Sequence, residues 1–395
     1  MLRMGEQRGR LRFVAFAIVW ALLGACANYA EERVPRSTPS PVALSTTPSV
    51  AEVTPAPTPA PTAYPKVYSK LRVFVAAEGK SYFSGNGELW VLETDGRSDF
   101  QVAAKIPMGT WPHNISVSPD GKWVAVANRS SHQVSIVDPV ELKELARVKV
   151  GKQPHGIIWA PDSSVLYVGA EKETFITRLE AGTWKTLAPL QVGVKQHTFA
   201  IHPDRPNELW FSVTMDNVAD HLRVYDLKTD KITPIRAHDV HDMYFTPDGS
   251  EVWSSSSGFL DKPSDRMVVY DPVEKVVKAE IKLPGRYPFH SLKRSQDGMY
   301  YPKDTGVMLL SSHYSTEKGR NGASLLWVDW KARTVIDETP LGIQPFHITY
   351  DPVGERVLVT SNVDGMVNVI DRRTRKVVQK VAVPKAHGIV VVGIP

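Results

Sequence analysis

A histidine that opens a short apolar run recurs seven times between residues 113 and 387, and no other feature constrains the fold as much. The copies begin at His113 (PHNISVSPDG), His155 (PHGIIWAPD), His197 (QHTFAIHPD), His241 (VHDMYFTPDG), His290 (FHSLKRSQDG), His347 (FHITYDPVG) and His387 (AHGIVVVGIP). Successive copies are 42, 42, 44, 49, 57 and 40 residues apart. A period of this size means one supersecondary unit stacked on its own copies, because a single unit cannot bury its apolar face alone.

Within one copy the pattern is β throughout. The residues around His113–Ser118, Trp123–Ala127, Gln133–Val137 and Ala146–Val150 read as four short strands, separated by the turn residues Pro119-Asp120-Gly121, by Asn128–His132 and by Asp138-Pro139. The third strand ends in an acid in every unit: Glu93, Asp138, Glu180, Asp226, Asp271, Asp329 and Asp371. Such a side chain can close the turn that follows, so these acids are expected to be structural. Leu71–Val75, Glu88–Leu92 and Gln101–Ile106 supply three strands without a histidine-led partner, and His387–Gly393 supplies that partner at the other end. Joining them completes a seventh sheet and leaves no bare strand edge. The expected fold is all-β: a seven-bladed β-propeller over residues 66–395, closed by pairing of its terminal strands.

Two segments precede it. Residues 1–25 read as a lipoprotein signal peptide, with Arg3 to Arg12 leading into a 13-residue apolar run, Phe13–Ala25, too short to span a bilayer. Leu23-Gly24-Ala25-Cys26 looks like a bacterial lipobox, making Cys26 the candidate lipidation site; a cleaved secretory signal is the alternative. Residues 26–65 form a disordered tether, holding nine of the 30 prolines. The expected location is the cell envelope, lipid-anchored to the cell membrane or outer membrane, with the domain periplasmic or at the cell surface.

Composition excludes several partners and chemistries. Of the formal charge of +5, the signal segment carries +3, so the remainder at +2 makes no electrostatic case for nucleic acid. The single cysteine is Cys26, so the folded part has no disulfide, thiolate ligand or haem-attachment motif. No Gly-rich phosphate loop, GxSxG elbow or HExxH helix is present, which leaves catalysis dependent on a metal and enzymatic activity open. A monomer is expected.

Val124-Ala125-Val126-Ala127-Asn128 with Val134–Asp138, and Val359–Asn362 with Val367–Asp371, resemble YVTN/YncE-like propeller repeats, as do the PHGI and SPDG elements. That resemblance covers about residues 70–395 and implies the propeller, with binding, cofactor-carrying and enzymatic uses all represented.

In a propeller the first strand of each blade lines the central channel, so His113, His155, His197, His241, His290, His347 and His387 form a ring near the axis. Neutral imidazole is a common ligand for copper or zinc, and these seven are the candidate metal ligands of a transition-metal hub. The nitrous-oxide reductase propeller, with seven hub histidines, is a distant resemblance; the lack of a His-His pair and of a cysteine-bearing electron-transfer domain argues against that activity. His347 precedes its turn proline by five residues where four others do so by six, and a one-residue slip turns a strand side chain over, so His347 is expected to point away from the axis unless a bulge absorbs the difference. The loops after the second strands carry Glu78, Asn128, Arg129, Glu171, Asp216, Asn217, His313 and Asn362 on the same face. His313, in the long segment Lys303–Ala323, is a possible capping ligand, whereas the acids are too scattered along the chain to suggest a calcium site. His132, His202, His221 and His238 do not recur as a set and are expected at the surface. Two further readings remain: a metal-free propeller that binds a protein or glycan on the long-loop face, and a propeller that binds haem d1 or another cofactor.

Overall fold

The computed structural model describes residues 68–80, 84–213, 220–237, 240–256, 266–283, 294–300, 306–314 and 323–394, with only the backbone described at 256, 294–300, 313 and 314. Cys26, the signal segment, the tether, Asp216, Asn217, His238 and His290 lie outside these residues.

The strands form seven four-stranded antiparallel sheets, the blades of a β-propeller. The first blade joins the two ends of the chain: Ala386–Ile394 pairs with Lys70–Ala77, which is followed by Asn86–Thr94 and Gln101–Thr110. Its register runs from Lys70 opposite Ile394 to Ala77 opposite Ala386. The second blade is Pro112–Val117, Val124–Asn128, Gln133–Asp138 and Lys143–Lys149, and the others repeat this order.

Alternating strand residues face the neighbouring blades, and the buried side chains fall into one cluster per blade interface. Phe74, Leu89, Val91 and Met108 of the first blade meet Val124, Val126 and Val137 of the second. The seventh and first blades share an equivalent cluster around Leu358, Val369, Val73 and Leu92, so the circle is sealed by the same apolar contact as every other step. Each such side chain contributes about 1.5–3 kcal/mol on burial.

The acids that end the third strands close turns. Asp138 Oδ1 accepts from the backbone N–H groups of Val140 and Glu141 at 2.8 and 2.9 Å. Asp226 and Asp271 do the same with Lys228 and Thr229, and with Val273 and Glu274. The residue four places after the acid then takes a left-handed φ, as at Leu142, Asp230 and Lys275, and donates its N–H back to the acid's carbonyl. The two glutamates, longer by a methylene, differ. Glu93 instead meets Lys70 and Arg72 at 3.0 and 2.9 Å, and Glu180 accepts from the Thr183 hydroxyl at 2.6 Å.

The sixth blade departs from the expected pattern. Arg294–Tyr300 is its first strand, so Gln296-Asp297-Gly298 lies within a strand and not at a turn equivalent to SPDG. Pairing decides this: Met299 and Tyr300 stand opposite Leu310 and Leu309. The second strand is Val307–Tyr314, which places His313 on a strand, opposite Ser295, and not in a long loop.

Candidate metal and cofactor site at the hub

Three of the histidine-led strands are entered through a tight reversal. Trp111, Gln153 and Lys385 adopt left-handed φ of 58°, 57° and 53° two residues before His113, His155 and His387. Such a conformation in a non-glycine residue costs roughly 1–3 kcal/mol, and here it delivers the imidazole to the hub face.

Six of the seven predicted ring histidines are described, and they form a continuous chain of ring contacts. Centroid distances are 4.8 Å for His347–His387, 3.6 Å for His387–His113, 4.9 Å for His113–His155, 3.8 Å for His155–His197 and 4.5 Å for His197–His241. The His387–His113 and His155–His197 pairs are stacked. His113, His155, His197, His241 and His387 are buried. Burial holds His113, His155 and His387 well below the ordinary histidine value and pushes His197 down to about 3. These imidazoles are therefore neutral at physiological pH.

The blades are stitched together at this layer. The carbonyls of five hub histidines, His113, His155, His197, His241 and His387, each accept from, or lie against, the blade before. His155 O accepts from Asn114 Nδ2 at 3.0 Å, and His241 O from Thr198 Oγ1 at 2.6 Å. His387 O accepts from Thr360 Oγ1 at 2.7 Å. His197 O accepts from His155 Nδ1 at 3.0 Å. Glycine occupies the position after the histidine where that carbonyl comes closest: a Cβ on Gly156 would lie 2.4 Å from His197 O, and one on Gly388 2.3 Å from His113 O.

His347 is different. Pro345 pairs with Ser361 and Ile348 with Val359, the same offsets as Pro112 with Asn128 and Ile115 with Val126. Phe346 therefore fills the slot of His113, and His347 fills that of Asn114. The one-residue slip is present, but its outcome is the reverse of the expectation: His347 faces the axial channel, because the slot of Asn114, and not that of His113, lines the cavity. A cavity of about 480 Å³ runs down this channel, lined by Asn114, Gly156, Thr198, Asp242, Gly388 and His347, with Ile115, Ile157, Phe199, Met243, Ile348 and Ile389 among the residues beyond. Of the six described ring histidines, His347 alone lines it. Burial pushes the His347 imidazole down to about 4.

A second polar belt lies against the ring. Glu78, Arg129, Glu171 and Asn362 each follow directly on a second strand, which ends at Ala77, Asn128, Ala170 and Ser361. Glu78 Oε1 accepts from Trp111 Nε1 at 2.6 Å and faces His113 Nδ1 at 2.7 Å, while Oε2 accepts from Asn362 Nδ2 at 2.9 Å. Arg129 stacks on the Trp111 ring at 4.3 Å and pairs with Glu171 Oε2. Glu171 Oε1 lies 3.4 Å from His197 Nε2 and 4.0 Å from His155 Nε2. Desolvation raises the Glu171 carboxyl above its ordinary value. Two groups, Glu78–His113–His387 and His155–Glu171–His197, each bring three possible ligand atoms within 4.8 Å of one another.

The acids that looked scattered are gathered here by ring closure: Glu78 and Glu171 occupy the same position in the first and third blades. The signal available in sequence was their shared place immediately after the second strand. Trp111 carried no signal of its own. His202 and His221 are buried rather than superficial: His202 Nδ1 accepts from the N–H groups of Asp204 and Arg205, and His221 Nδ1 bonds Val213 O at 2.6 Å.

Residues 83–290 match the Cytochrome D1 heme domain family over more than half of the chain. The chain belongs to this family. No curated protein matches it. Among solved structures it is similar to Kuenenia stuttgartiensis hydrazine synthase, at 17% identity over 69% of this chain and 86% of that one, with a TM-score of 0.59. It is also similar to the dihydro-heme d1 dehydrogenase NirN in complex with DHE, at 16% identity over 80% and 74% of the two chains, with a TM-score of 0.57. The Pseudomonas aeruginosa periplasmic gluconolactonase PpgL aligns at 15% identity over 83% of this chain and all of its own, with a TM-score of 0.66. At these identities the three structures bear on the cytochrome D1 family chain's fold alone.

Proposed function

We propose that the propeller is an envelope-anchored tetrapyrrole-binding domain in which His347 would supply an imidazole ligand to the group. The observation that carries this reading is the register slip, which turns one neutral imidazole of the ring into the cavity while its neighbours are buried in contacts between blades. Membership of the Cytochrome D1 heme domain family supports it, as does the similarity to the dihydro-heme d1 dehydrogenase NirN.

The residues present fit such a group. Among the described residues, the His347 ring makes no hydrogen bond, so a nitrogen lone pair is free to ligate iron. The cavity volume lies in the usual range for organic ligands, roughly 300–1,000 Å³. Its Ile, Phe and Met side chains provide low-dielectric contact, while Asn114, Thr198 and Asp242 offer polar groups near the ring. When bound, an iron tetrapyrrole would supply one-electron chemistry. The chain's own part is to hold His347 neutral and oriented, its backbone N–H tied to Thr360 Oγ1 at 3.1 Å, and to exclude water by the apolar lining.

Export and lipid attachment at Cys26, with residues 26–65 as tether, belong to the same proposal, as does a YVTN/YncE-like character of the repeat. Incorporation of labelled palmitate into the full chain and its loss in Cys26→Ser tests the anchor. For the site, purified protein is titrated with hemin and with heme d1 while the Soret region is followed. One equivalent should bind, and His347→Ala should weaken binding at least about tenfold. Absence of binding, or equal binding by His347→Ala, would remove this function.

A further inference from the structure

We infer that His155, Glu171 and His197 form a separate site for one divalent first-row transition-metal ion. It goes beyond the tetrapyrrole reading, since none of the three residues lines the axial cavity.

The three come from neighbouring blades: His155 on Pro154–Trp159, Glu171 just after Val165–Ala170, and His197 ahead of Phe199–His202. They are 4%, 2% and 4% exposed, so water does not solvate the group. His155 Nδ1 faces the His197 carbonyl at 3.0 Å, and a carbonyl can only accept. Nδ1 therefore carries the proton, and Asn114 Nδ2, 3.2 Å away, directs its own donation to His155 O at 3.0 Å. That leaves a bare lone pair on His155 Nε2, 4.0 Å from Glu171 Oε1. The two rings are stacked within 26° of parallel, and His197 Nε2 faces the same oxygen. His197 Nδ1 is itself buried with no hydrogen bond of normal geometry.

Two imidazole nitrogens and a carboxylate oxygen thus lie within 4.8 Å of one another in a dry interior. A proton on His197 Nε2 would reach Glu171 across 3.4 Å, longer than the usual 2.7–3.2 Å of such bonds. A cation between the three atoms accounts for their proximity, with a turn of the stacked rings bringing both nitrogens onto it. An ion bound tetrahedrally at about 2.0–2.1 Å holds its ligand atoms about 3.3 Å apart. The His197–Glu171 separation of 3.4 Å already matches, and His155 has only to close from 4.0 Å. Arg129 takes the other Glu171 oxygen and fixes the carboxylate plane. The donor set of two imidazoles and one carboxylate suits zinc, cobalt or iron(II), with further positions open.

The companion group does not serve. Both oxygens of Glu78 are engaged, by Trp111 and His113 at Oε1 and by Asn362 at Oε2. Glu78 orients His113 rather than offering a ligand atom.

The test is Co²⁺ titration of the purified protein, followed by visible d–d absorption, with Zn²⁺ displacement as the second readout. The wild type should take up one equivalent and release it to Zn²⁺. His155→Gln and the near-isosteric Glu171→Gln should each weaken binding by at least about 10–100-fold, the loss seen even for outer partners of a metal ligand. His347→Ala should leave Co²⁺ binding unchanged, which separates this result from failure of the tetrapyrrole site. A wild-type protein that binds no Co²⁺, or equal affinity in wild type and in both variants with native circular dichroism, would overturn the inference.

Discussion

The Nδ1 of His155 bonds the main-chain carbonyl of His197 in the next blade at 3.0 Å, and the glycine after His155 has no room for a Cβ beneath that carbonyl. One imidazole thus spans a blade interface and, through its other nitrogen, faces Glu171. The hub histidines serve assembly and chemistry together.

Gly156→Ala should be costly for this reason. The added methyl would sit 2.4 Å from His197 O and 2.9 Å from the Phe199 ring, and overpacking of this kind costs about 1–3 kcal/mol. Gly121→Ala, at a φ of +75° but with nothing within 4 Å, should cost about 1 kcal/mol from backbone strain alone. Urea denaturation of both variants measures the difference; equal losses would show that the blades yield at the hub.

Acid should destabilise the protein earlier than carboxylate titration would. In His113, His155, His197, His347 and His387 the folded state holds the imidazole below its unfolded value. The unfolded chain therefore binds more protons than the folded one once pH falls below about 6.5. Stability is full above that pH and declines as pH drops towards the folded values, by about 1.4 kcal/mol per fully buried histidine at pH 5.5. The raised Glu171 carboxyl acts in the opposite direction at lower pH. Melting temperature measured from pH 7.5 to 4.5 should begin to fall near 6.5; a flat profile down to 4.5 would contradict the buried neutral ring.

Glu78 holds two donors of other residues on one oxygen. Glu78→Ala would remove the carboxylate oxygen that the Trp111 and His113 N–H groups share, a loss of about 3–5 kcal/mol at roughly 1–3 kcal/mol per lost acceptor contact. Glu78→Gln keeps one acceptor oxygen, and Asn362 can present its own carbonyl to the new amide, so about 1–2 kcal/mol is expected. Chemical denaturation should rank the two variants in that order.

Glu180 stands where several blades have aspartate. Its longer side chain reaches Thr183 Oγ1 instead of the backbone N–H groups that Asp138, Asp226 and Asp271 collect. Glu180→Asp should therefore raise stability by about 0.5–1 kcal/mol, as repeat-consensus substitutions do. A lower unfolding midpoint would show that the Thr183 contact is worth more than the turn.

The period of the histidines, the turn acids and the split terminal sheet were all legible in the chain, because each is local chemistry repeated at a fixed interval. The slip at His347 was legible as a count of residues to the next proline. Its outcome was not, since only the pairing of Pro345 with Ser361 tells which slot the side chain inherits. Glu78 and Glu171 sit 93 positions apart, and it is the circular order of blades that brings both to one belt. The sixth blade misled because QDG imitates SPDG, while strand pairing follows Met299 and Tyr300.

The innermost strand of the first blade, Ala386–Ile394, is the last of the propeller's described strands to be synthesised. Throughout translation and any passage across a membrane, Lys70–Ala77 must wait with one edge open to stray pairing. The native state is thus postponed until nine late residues arrive, and a mutation there would act on the yield of folded protein before it touched the hub.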